Sequence, residues 1–581
     1  MEHNKGGLET VAEGCLARLT AHGIDYIFAN AGTDFPPLIE AYAGAARSNV
    51  KLPELVTVPH ENAAVAMAHG HYMVSGRVQA VMVHVNVGTA NALCPLLDAW
   101  RENVPVFLMA GRTPIHEQGV FGARNAVIHW GQEMRDQAAM LREFVKWDYE
   151  LRSPDQAAQV IDRALSLACT EPRGPVYLSL PREVLAAPAG PGRVDQLVIS
   201  AIPETQADTQ ALARAADLLA RAQAPLIITG RSGRDPDTVP ILARLAERFA
   251  IPVVEFWANY MSLPFDHPMH AGFDPAPWLA EADVILVLDA VVPWLPDKVA
   301  PRPDCTVIQV GPDPLFSDYP MRSFPASVAI ASAVGPALAA LYEQLDERLA
   351  NAETHLASRR DGIARRTALE RAAVAKLVAQ VPDDEITPLW ASHCVGRLLD
   401  ENTILVNELG AIRAALPLRH PGSYFAVGTA GGLGWALPAA LGAKLAAPER
   451  RVIATIGDGS CIFANPVACH QVAAARKLPV LTIVFNNAMW AAVKFSTLAL
   501  YPSGNAAAAP EMPLTQLAPS PAFEDIVAAC GGYGERVEDP GELPAALERA
   551  VRVIEDEGRQ ALLNVQIAST SMGGSSASLR R

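Results

Sequence analysis

Cysteine is scarce in this sequence, with eight residues in a chain of 581. None of them belongs to a Cys-x-x-Cys pattern, so the sequence offers neither a disulfide framework nor a cysteine-based zinc site. Charged residues are also few, at 19% of the chain against a usual ~25%. We therefore expect much of the surface to be hidden in a large core or between subunits. Small-residue runs such as 436–447 suggest closely packed helices.

An excess of positive charge is lacking as well. Lys and Arg total 47 against 62 Asp and Glu, which gives a net charge of −15. This balance argues against a nucleic acid or an anionic membrane as the main partner. No window approaches 18 uncharged apolar residues, so we expect no transmembrane helix. The first residues have no signal-peptide pattern, and we expect a cytoplasmic protein.

Short apolar runs rich in Val and Ile alternate with amphipathic helical stretches along almost the whole chain. Runs of this length, bounded by Gly or Pro, are typical of buried parallel strands. Their alternation with helices predicts an α/β fold of doubly wound parallel sheets. The clearest predicted strands lie at 26–29, 78–85, 104–110, 176–180, 225–229, 284–288, 306–310, 403–406, 452–456 and 480–485.

Two breaks divide the chain. The first is a linker rich in Pro and Gly at 186–192, and the second follows charged helical sequence that stops near residue 381. We therefore predict three α/β domains with a disordered tail. The predicted spans are 1–186, 200–345 and 375–568 for the domains and 569–581 for the tail.

The segment 451–487 carries the most informative pattern. A predicted strand ends in Gly-Asp-Gly-Ser at 457–460, and a second predicted strand ends in Asn-Asn at 486–487. Between them we expect a helix with Asn465 as its N-cap and Pro466 at its first position. A right-handed crossover of this kind places the two strand ends side by side.

The side chains at these two strand ends suit a metal ion. Asp458 offers a carboxylate oxygen and Asn487 an amide oxygen. Mg²⁺ takes such hard ligands and completes its shell with phosphate oxygens and water. The flanking glycines allow backbone N–H groups to approach an anion closely. The pattern predicts a metal-bridged diphosphate site at the end of a parallel sheet.

This pattern resembles the signature of thiamine diphosphate enzymes, and the resemblance covers nearly the whole chain. Within that family the chain looks like the acetolactate synthase, pyruvate decarboxylase and benzoylformate decarboxylase group. Segments 421–425 (Pro-Gly-Ser-Tyr-Phe) and 430–438 (Ala-Gly-Gly-Leu-Gly-Trp-Ala-Leu-Pro) are most similar to benzoylformate decarboxylase. The resemblance implies a pyrimidine-binding, a central and a diphosphate-binding domain, in that order. It also implies thiamine diphosphate and Mg²⁺ as cofactors.

The resemblance implies three ligands for the metal ion. By position they are the carboxylate of Asp458, the side chain of Asn487 and the main-chain carbonyl of Met489.

It also implies contacts to the organic cofactor. Gly459 and Ser460 would contact the diphosphate, Gly431 would offer its carbonyl to the 4′-amino group, and Leu433 would hold the two rings in a V. Asn407 follows a strand where the family often has hydroxyl residues. Diphosphate contacts there are therefore expected through backbone N–H groups.

Glu61 matches the glutamate that activates the cofactor in this family by hydrogen bonding to N1′ of the pyrimidine. It follows a strand-like run and opens a helix of small residues. An acid at a helix start has a simpler explanation in the helix dipole, but its occurrence together with Asp458 favours catalysis. In the family the cofactor bridges two subunits, so the resemblance implies a homodimer or homotetramer with shared active sites.

Three residues are expected on the substrate side. The implied reaction is decarboxylation of a 2-oxo acid, after which the enamine is protonated or ligated to a second carbonyl. His84, at the end of a predicted strand, matches a catalytic histidine of benzoylformate decarboxylase and could move protons near neutral pH. Thr33 stands where that enzyme has a serine and could bind a substrate carboxylate. Asp34, next to it, falls where related carboligases place another polar residue.

The chain also departs from the family pattern. Segment 291–297 has no match for the second histidine of benzoylformate decarboxylase, which favours ligation or another substrate. Acetolactate synthases carry a glutamine in the region of Gln137. We interpret Gln137 and the nearby His116 and His129 as structural.

Other readings remain open. The central segment Gly-Arg-Ser-Gly at 230–233 is a weak glycine signal, so FAD is possible but not favoured. A flavin- or nicotinamide-dependent oxidoreductase would also suit doubly wound sheets. Against it, no Gly-x-Gly-x-x-Gly follows the first strand with an acidic residue some 20 positions later. A non-catalytic paralogue is the third reading, and the joint presence of Glu61, Asp458 and Asn487 argues against it.

Overall fold

The structure is a computed structural model that describes residues 10–48, 50–189, 201–427 and 429–569. Three β-sheets organise these residues, and all the strand pairs recorded in them are parallel. Each predicted domain span contains one of the sheets. The predicted fold class and all ten predicted strands are confirmed. Residues 190–192 of the predicted linker and all but Ser569 of the predicted tail lie outside the described residues.

The N-terminal sheet has six strands in the order β2-β1-β3-β4-β6-β5. The strands are β1 (Tyr26–Ala29), β2 (Glu54–Thr57), β3 (Ala80–Val83), β4 (Phe107–Arg112), β5 (Asp148–Glu150) and β6 (Val176–Pro181). The helices are α1 (Val11–Ala21), α2 (Pro36–Ser48), α3 (Glu61–Ser75), α4 (Val85–Asn91), α5 (Leu93–Arg101), α6 (Ile128–Gly131), α7 (Ala157–Cys169) and α8 (Arg182–Ala186).

The central sheet has five strands in the order β11-β10-β9-β7-β8. The strands are β7 (Pro225–Thr229), β8 (Val253–Glu255), β9 (Val284–Leu288), β10 (Thr306–Gly311) and β11 (Val328–Ala331). The helices are α9 (Thr209–Arg221), α10 (Thr238–Arg248), α11 (Ala276–Leu279), α12 (Val334–Arg348) and the connecting α13 (Glu353–Val378).

The C-terminal sheet has six strands in the order β13-β12-β14-β15-β17-β16. The strands are β12 (Thr403–Glu408), β13 (Tyr424–Ala426), β14 (Arg451–Gly457), β15 (Val480–Asn486), β16 (Tyr533–Val537) and β17 (Ala561–Gln566). The helices are α14 (Pro388–Gly396), α15 (Ala436–Ala446), α16 (Asp458–Phe463), α17 (Pro466–Arg476), α18 (Ala491–Leu500), α19 (Asn505–Ala508), α20 (Phe523–Ala529) and α21 (Leu543–Asp556).

Contacts along the chain define two compact units. Unit 1 comprises residues 1–203, 429–449 and 461–480. Unit 2 comprises residues 204–428, 450–460 and 481–581. Helices α15 and α17 therefore belong to unit 1, although the strands on either side of them in the sequence belong to the C-terminal sheet.

Within unit 1, α3 and α15 approach each other closely through glycine. A Cβ on Gly70 would lie 2.1 Å from the carbonyl oxygen of Ala439, and a Cβ on Gly442 would lie 2.0 Å from that of Met67. Only glycine leaves room for backbone at such distances. The small residues predicted to mark close packing do so here.

The start of α17 agrees with the prediction, with Asn465 as the N-cap and Pro466 as the first helical residue. The backbone of Asn465 is left-handed, with φ of 54°, and within the described chain its side chain makes no capping hydrogen bond. The reason is that α16 already begins at Asp458, so Asn465 turns the chain between two helices.

None of the described helices combines the length and the apolar character needed to cross a membrane.

Candidate active site

Glu61 is the first residue of α3 and its carboxylate is held by two amides in unit 1. Asn30 donates to Oε1 at 2.9 Å, and Asn91 donates to Oε2 at 3.0 Å. The Glu61 residue is only 5% exposed. The room for it depends on Gly88, where a Cβ would lie 3.0 Å from Oε1. Each carboxylate oxygen of Glu61 thus accepts one hydrogen bond from an amide side chain.

His84 follows β3 directly and pairs with Asp34. Its Nδ1 lies 2.5 Å from Asp34 Oδ1, and the backbone N–H of Val85 donates to Asp34 Oδ2 at 3.3 Å. Asp34 is 3% exposed. The hydrogen bond from Asp34 raises the pKa of His84 above its ordinary value, against burial, which lowers it, while the charges of Asp34 and Glu61 add to the rise. The His84 ring could exchange a proton here, and Glu61 is close enough for its charge to act on that ring.

The backbone around this pair is built to make room for it. A Cβ on Gly32 would lie 2.1 Å from His84 Nδ1, and one on Gly111 would lie 1.6 Å from Asp34 Oδ2. Val85 has a φ of 32°, which a β-branched residue rarely adopts. Such strain persists only where the surroundings fix it, and here the bond to Asp34 holds the N–H of Val85.

Thr33 is exposed, so its hydroxyl is accessible. Its carbonyl oxygen accepts from the buried guanidinium of Arg182 at 3.2 Å. Arg182 also donates to the carbonyl oxygens of Gly122 at 2.9 Å and Ala123 at 2.7 Å. One cation thus ties the turn that carries Thr33 and Asp34 to the segment 113–134, which we call the β4 segment because it follows β4.

The β4 segment supplies Gln132, which no sequence pattern singled out, and also His129, which was interpreted as structural. The side-chain nitrogen of Gln132 lies 3.1 Å from His84 Nε2. His129 is 2% exposed, and its pKa is lowered by burial and then by the nearby charges of Arg182, Arg124 and His84. Asn30 and Asn91, which hold Glu61, were missed as well. Only the folded loops bring these side chains to the site, so nothing in the local sequence marks them.

Two residues interpreted as structural do make structural contacts. Gln137 is buried and donates to the carbonyl oxygen of Gly111 at 2.9 Å and to the Tyr177 hydroxyl at 2.8 Å. The backbone N–H of His116 donates to Glu183 at 2.9 Å.

In unit 2, the ends of β14 and β15 bring Asp458 next to the turn at 487–489. The strands are neighbours in the sheet. Burial raises the pKa of the Asp458 carboxyl, and the backbone N–H groups of Gly459, Ala488 and Met489 oppose that rise only in part. Asp458 Oδ2 is buried and has no hydrogen-bond partner among the described residues. A buried carboxylate oxygen left in this state fits a cation.

The turn after β15 presents further oxygens. Asn487 Oδ1 accepts from the backbone N–H of Met489 at 3.1 Å. Ala488 has a left-handed backbone with φ of 52°, and its N–H lies 3.0 Å from Asn486 Oδ1. The carbonyl oxygen of Met489 accepts from Ala491 at 3.0 Å. Carboxylate, amide and carbonyl oxygens are the donor set that Mg²⁺ takes, so these residues fit the ion that the sequence pattern predicts.

Gly459 and Ser460, which are predicted to contact the diphosphate, follow shortly after β14. The indole ring of Trp490 covers Gly459, since a Cβ there would lie 2.2 Å from it. Ser460 is buried. The Asn407 side chain is fully occupied: it accepts from Thr455 at 2.8 Å and from Ala411 at 2.9 Å, and it donates to Ala411 and Tyr424. This leaves backbone N–H groups for an anion at the end of β12.

The loop that carries Gly431 and Leu433 is held by α5 within unit 1. Asp98 accepts from the N–H of Gly432 at 3.1 Å, and Glu102 accepts from the Thr429 hydroxyl at 2.7 Å. Gly431 has a φ of 72°, which favours glycine. Leu433 is half-buried. Two buried carboxylates one turn apart on a helix thus fix the backbone from which Gly431 would offer its carbonyl.

Comparisons with known proteins agree with this geometry. Three family models match: the thiamine pyrophosphate enzyme N-terminal TPP binding domain at residues 9–140, the central domain at 212–341 and the C-terminal TPP binding domain at 409–565. Together they cover more than half of the chain.

Curated relatives of similar length cover several reactions. Benzoylformate decarboxylase from Pseudomonas aeruginosa is 28% identical over 84% of this chain and 88% of the relative. Sulfoacetaldehyde acetyltransferase from Rhodobacter capsulatus is 26% identical over 93% and 92%. The acetolactate synthase large subunit from Mycobacterium tuberculosis is 26% identical over 94% of each chain.

The fold agrees with a solved structure as well. Benzoylformate decarboxylase from Polynucleobacter necessarius superposes with a TM-score of 0.76 at 21% identity, covering 97% of this chain and 99% of that one. The family matches, the shared architecture and the two clusters of polar residues lead to one conclusion: the chain belongs to the thiamine pyrophosphate enzymes.

Proposed function

We propose that this chain is a thiamine diphosphate- and Mg²⁺-dependent decarboxylase of a 2-oxo acid, with His84 as the group that handles the proton. The observation that carries the proposal is the cluster in which Glu61, His84 and Asp34 lie together, since both the activating carboxylate and a histidine are present. Thiamine diphosphate, when bound, supplies the electron sink for cleavage of the carbon–carbon bond. The chain's own residues must bind, orient and move protons.

Asp458, Asn487 and the carbonyl of Met489 would hold Mg²⁺. The support is the buried, unpartnered Asp458 Oδ2 in the described chain, beside a turn whose oxygens are of the type that Mg²⁺ binds. Gly459, Ser460 and the backbone after β12 would face the diphosphate, and Gly431 and Leu433 the organic rings.

On the substrate side, the exposed hydroxyl of Thr33 would bind the carboxylate of the 2-oxo acid. The buried Arg182, bonded to the Thr33 carbonyl oxygen, adds positive charge behind that position. His84 keeps Nδ1 on Asp34 and so has Nε2 to exchange a proton with the substrate. A raised pKa suits it as a donor near neutral pH.

A second outcome, ligation to another carbonyl, is favoured by one observation. Segment 291–297 holds no histidine, so the proton donor that benzoylformate decarboxylase takes from this region has no equivalent. With one histidine in place of two, slower protonation leaves time for a second carbonyl compound to react. Two of the relatives are named as an acetyltransferase and a synthase, not as decarboxylases.

The central domain would be structural and would not bind FAD. In support, Arg322 donates to the carbonyl oxygens of Val291 at 2.7 Å and Ala290 at 3.0 Å, just beyond β9. Its guanidinium also lies 4.4 Å from the ring centre of Phe316. A dinucleotide on a doubly wound sheet binds at this carboxyl end, where the arginine and its neighbours fill space.

The substitution Glu61→Gln tests the mechanism. We expect turnover of 2-oxo acids to fall by about 100-fold or more, because an amide at this position cannot hold and release a proton as the Glu61 carboxylate would. The assay follows CO₂ release and products by mass spectrometry over a panel of 2-oxo acids, with thiamine diphosphate and Mg²⁺ present or omitted.

The matched control is Glu40→Gln, an exposed glutamate of unit 1 paired only loosely with Arg47. It should leave turnover unchanged. Equal activity of the Glu61→Gln variant and this control would refute the mechanism. Aldehyde products support the decarboxylase, and 2-hydroxyketones or 2-hydroxy-2-methyl-3-oxo acids support ligation.

A further inference from the structure

The two ring nitrogens of His84 face different partners. Nδ1 lies 2.5 Å from a carboxylate oxygen of Asp34. A carboxylate oxygen only accepts, so Nδ1 carries a hydrogen. Nε2 lies 3.1 Å from the side-chain nitrogen of Gln132. An amide N–H can only donate, so in this arrangement Nε2 is the acceptor and the imidazole is neutral.

The other end of the Gln132 amide is available to a donor. Its Oε1 is buried and accepts no hydrogen bond from the described residues. The two ends of a glutamine amide have nearly the same shape, so a half-turn of the amide exchanges donor and acceptor without displacing neighbours. After that turn, Oε1 would face Nε2 and could accept from it only if Nε2 carried a hydrogen.

The backbone at Gln132 is fixed by contacts on both sides. Its N–H donates to the carbonyl oxygen of Ile128 at 2.9 Å. Glu133, the next residue, is bound by Arg112 at 2.9 Å and by Arg124. Because the β4 segment is held at this point, the amide can rotate while Gln132 stays beside His84.

We propose that Gln132 is a positioning residue whose amide follows the protonation state of His84, donating to the neutral ring and accepting from the charged one. The proposal rests on the proposed function only for the role of His84 in proton transfer. When Nε2 binds a proton, it donates to Gln132 Oε1. To pass that proton to the substrate, Nε2 first gives up its hydrogen bond to Oε1. The amide then turns, and its N–H donates to the lone pair left on Nε2. The hydrogen bond between Nδ1 and Asp34 stays intact throughout.

In this arrangement His84 exchanges its proton with the substrate through Nε2 alone. The charged and titratable groups that face the ring are Asp34 from the turn after β1, Glu61 from the start of α3 and His129 from α6. Asp34 and Glu61 favour the charged ring, and a charged His129 would oppose it. Gln132, being neutral and able to take either role, permits both states.

Gln132→Glu tests the proposal, because a carboxylate accepts and cannot donate. The new carboxylate should stabilise the charged form of the His84 ring and so raise the pH midpoint of His84 ionisation by about one unit or more. The midpoint is read from the rate of deuterium exchange at the imidazole C2 position across pH, measured by mass spectrometry of the peptide that contains His84. This measurement needs no substrate, so it stands even if no 2-oxo acid is turned over.

The matched control is Gln118→Glu, the same change of charge at an exposed position of the β4 segment. It should leave the midpoint where the unmodified protein has it. If Gln132→Glu moves the midpoint no more than Gln118→Glu, the proposal is overturned.

Gln132→Met is the second variant, of similar length but with neither donor nor acceptor. A hydrogen bond to a charged group is stronger than one to a neutral group, so losing both should lower the midpoint. A shift opposite in sign to that of Gln132→Glu supports the amide's double role, and an unchanged midpoint contradicts it. In active enzyme, the fall of kcat at alkaline pH should move with the midpoint of His84 ionisation in each variant. If the midpoint moves but no 2-oxo acid is turned over, the proposed function fails and the inference about Gln132 stands.

Discussion

Among single residues, Asp34 has the largest effect on His84. The substitution Asp34→Asn removes the negative charge and should lower the pKa of His84. If the charged ring donates the proton, the alkaline fall of kcat should then move to lower pH. A pH profile of kcat for the variant and the unmodified enzyme checks this, and a profile that does not move would mean that Asp34 does not govern His84.

The stability of the folded protein should also depend on pH through the pairing of His84 with Asp34. The pKa of His84 is raised in the folded protein, so the pairing with Asp34 contributes fully below the ordinary histidine value of about 6.5 and is lost as the pH rises through the raised value. The deficit in melting temperature of Asp34→Asn should therefore be larger at about pH 5.5 than at about pH 9.

A second residue-scale prediction concerns the buried ion pair of Arg18 and Asp162. Both side chains are fully buried, and His22 Nε2 also lies 2.7 Å from Asp162. Asp162→Asn removes one charge of this buried pair and keeps the other, which should cost about 3–5 kcal/mol. Denaturant unfolding measures the cost. Asp304→Asn, in the exposed pair with Arg302, serves as the control and should unfold like the unmodified protein.

At this scale the sequence predicted the residues with a chemical signature, including the pair of His84 and Asp34, and missed the amide side chains that contact them. Glu61, His84 and Asp458 stand in recognisable surroundings at strand or helix ends. Asn30, Asn91 and Gln132 hold or contact them from outside those motifs, and such an amide looks the same in a sequence whether or not it faces a carboxylate.

Among the elements, the predicted strands are all interior ones. The seven strands outside the clearest predictions are the six at the sheet edges, β2, β5, β8, β11, β13 and β16, and the interior strand β17. Edge strands are short or half-exposed, as in β2 and β11, where exposed and buried positions mix. The apolar run that marks a strand buried on both faces is then missing.

The contact between α3 and α15 gives an element-scale prediction. Gly442→Ala places a methyl group against the backbone of Met67 and should destabilise the protein by about 1–3 kcal/mol. Gly362→Ala is the matched control, since Gly362 lies exposed in α13 and a Cβ added there would meet no described atom within 4 Å. That variant should be more stable by about 0.5–1 kcal/mol. Destabilisation of both, or of neither, in thermal unfolding would contradict the packing argument.

For the whole molecule, the three sheets followed from the sequence but the two contact units did not. Helices α15 and α17 are sequence neighbours of the C-terminal strands, yet their contacts assign them to unit 1. Hydrophobic periodicity identifies a helix and its apolar face, and it carries no information on which distant helix will cover that face.

Shared active sites can be tested by mixing two inactive variants. Glu61→Gln and Asp458→Asn should each abolish turnover alone. If each site takes Glu61 from one subunit and Asp458 from another, a mixed dimer regains one intact site of two, and random mixing should restore about a quarter of the activity. The mixture is unfolded and refolded together before the assay. No recovery, with mixed dimers confirmed by mass spectrometry, would place both residues of a site on one chain.

The amide clamp on Glu61 has a thermodynamic consequence for coenzyme uptake. Asn30 and Asn91 each donate to one of the Glu61 oxygens. If Glu61 binds a pyrimidine nitrogen, as the proposed function requires, that nitrogen would either share an oxygen with an amide or displace the amide. Where an amide is displaced, one hydrogen bond replaces another and this contact adds little net enthalpy. The affinity for the coenzyme would then come chiefly from its other end, which carries the phosphates.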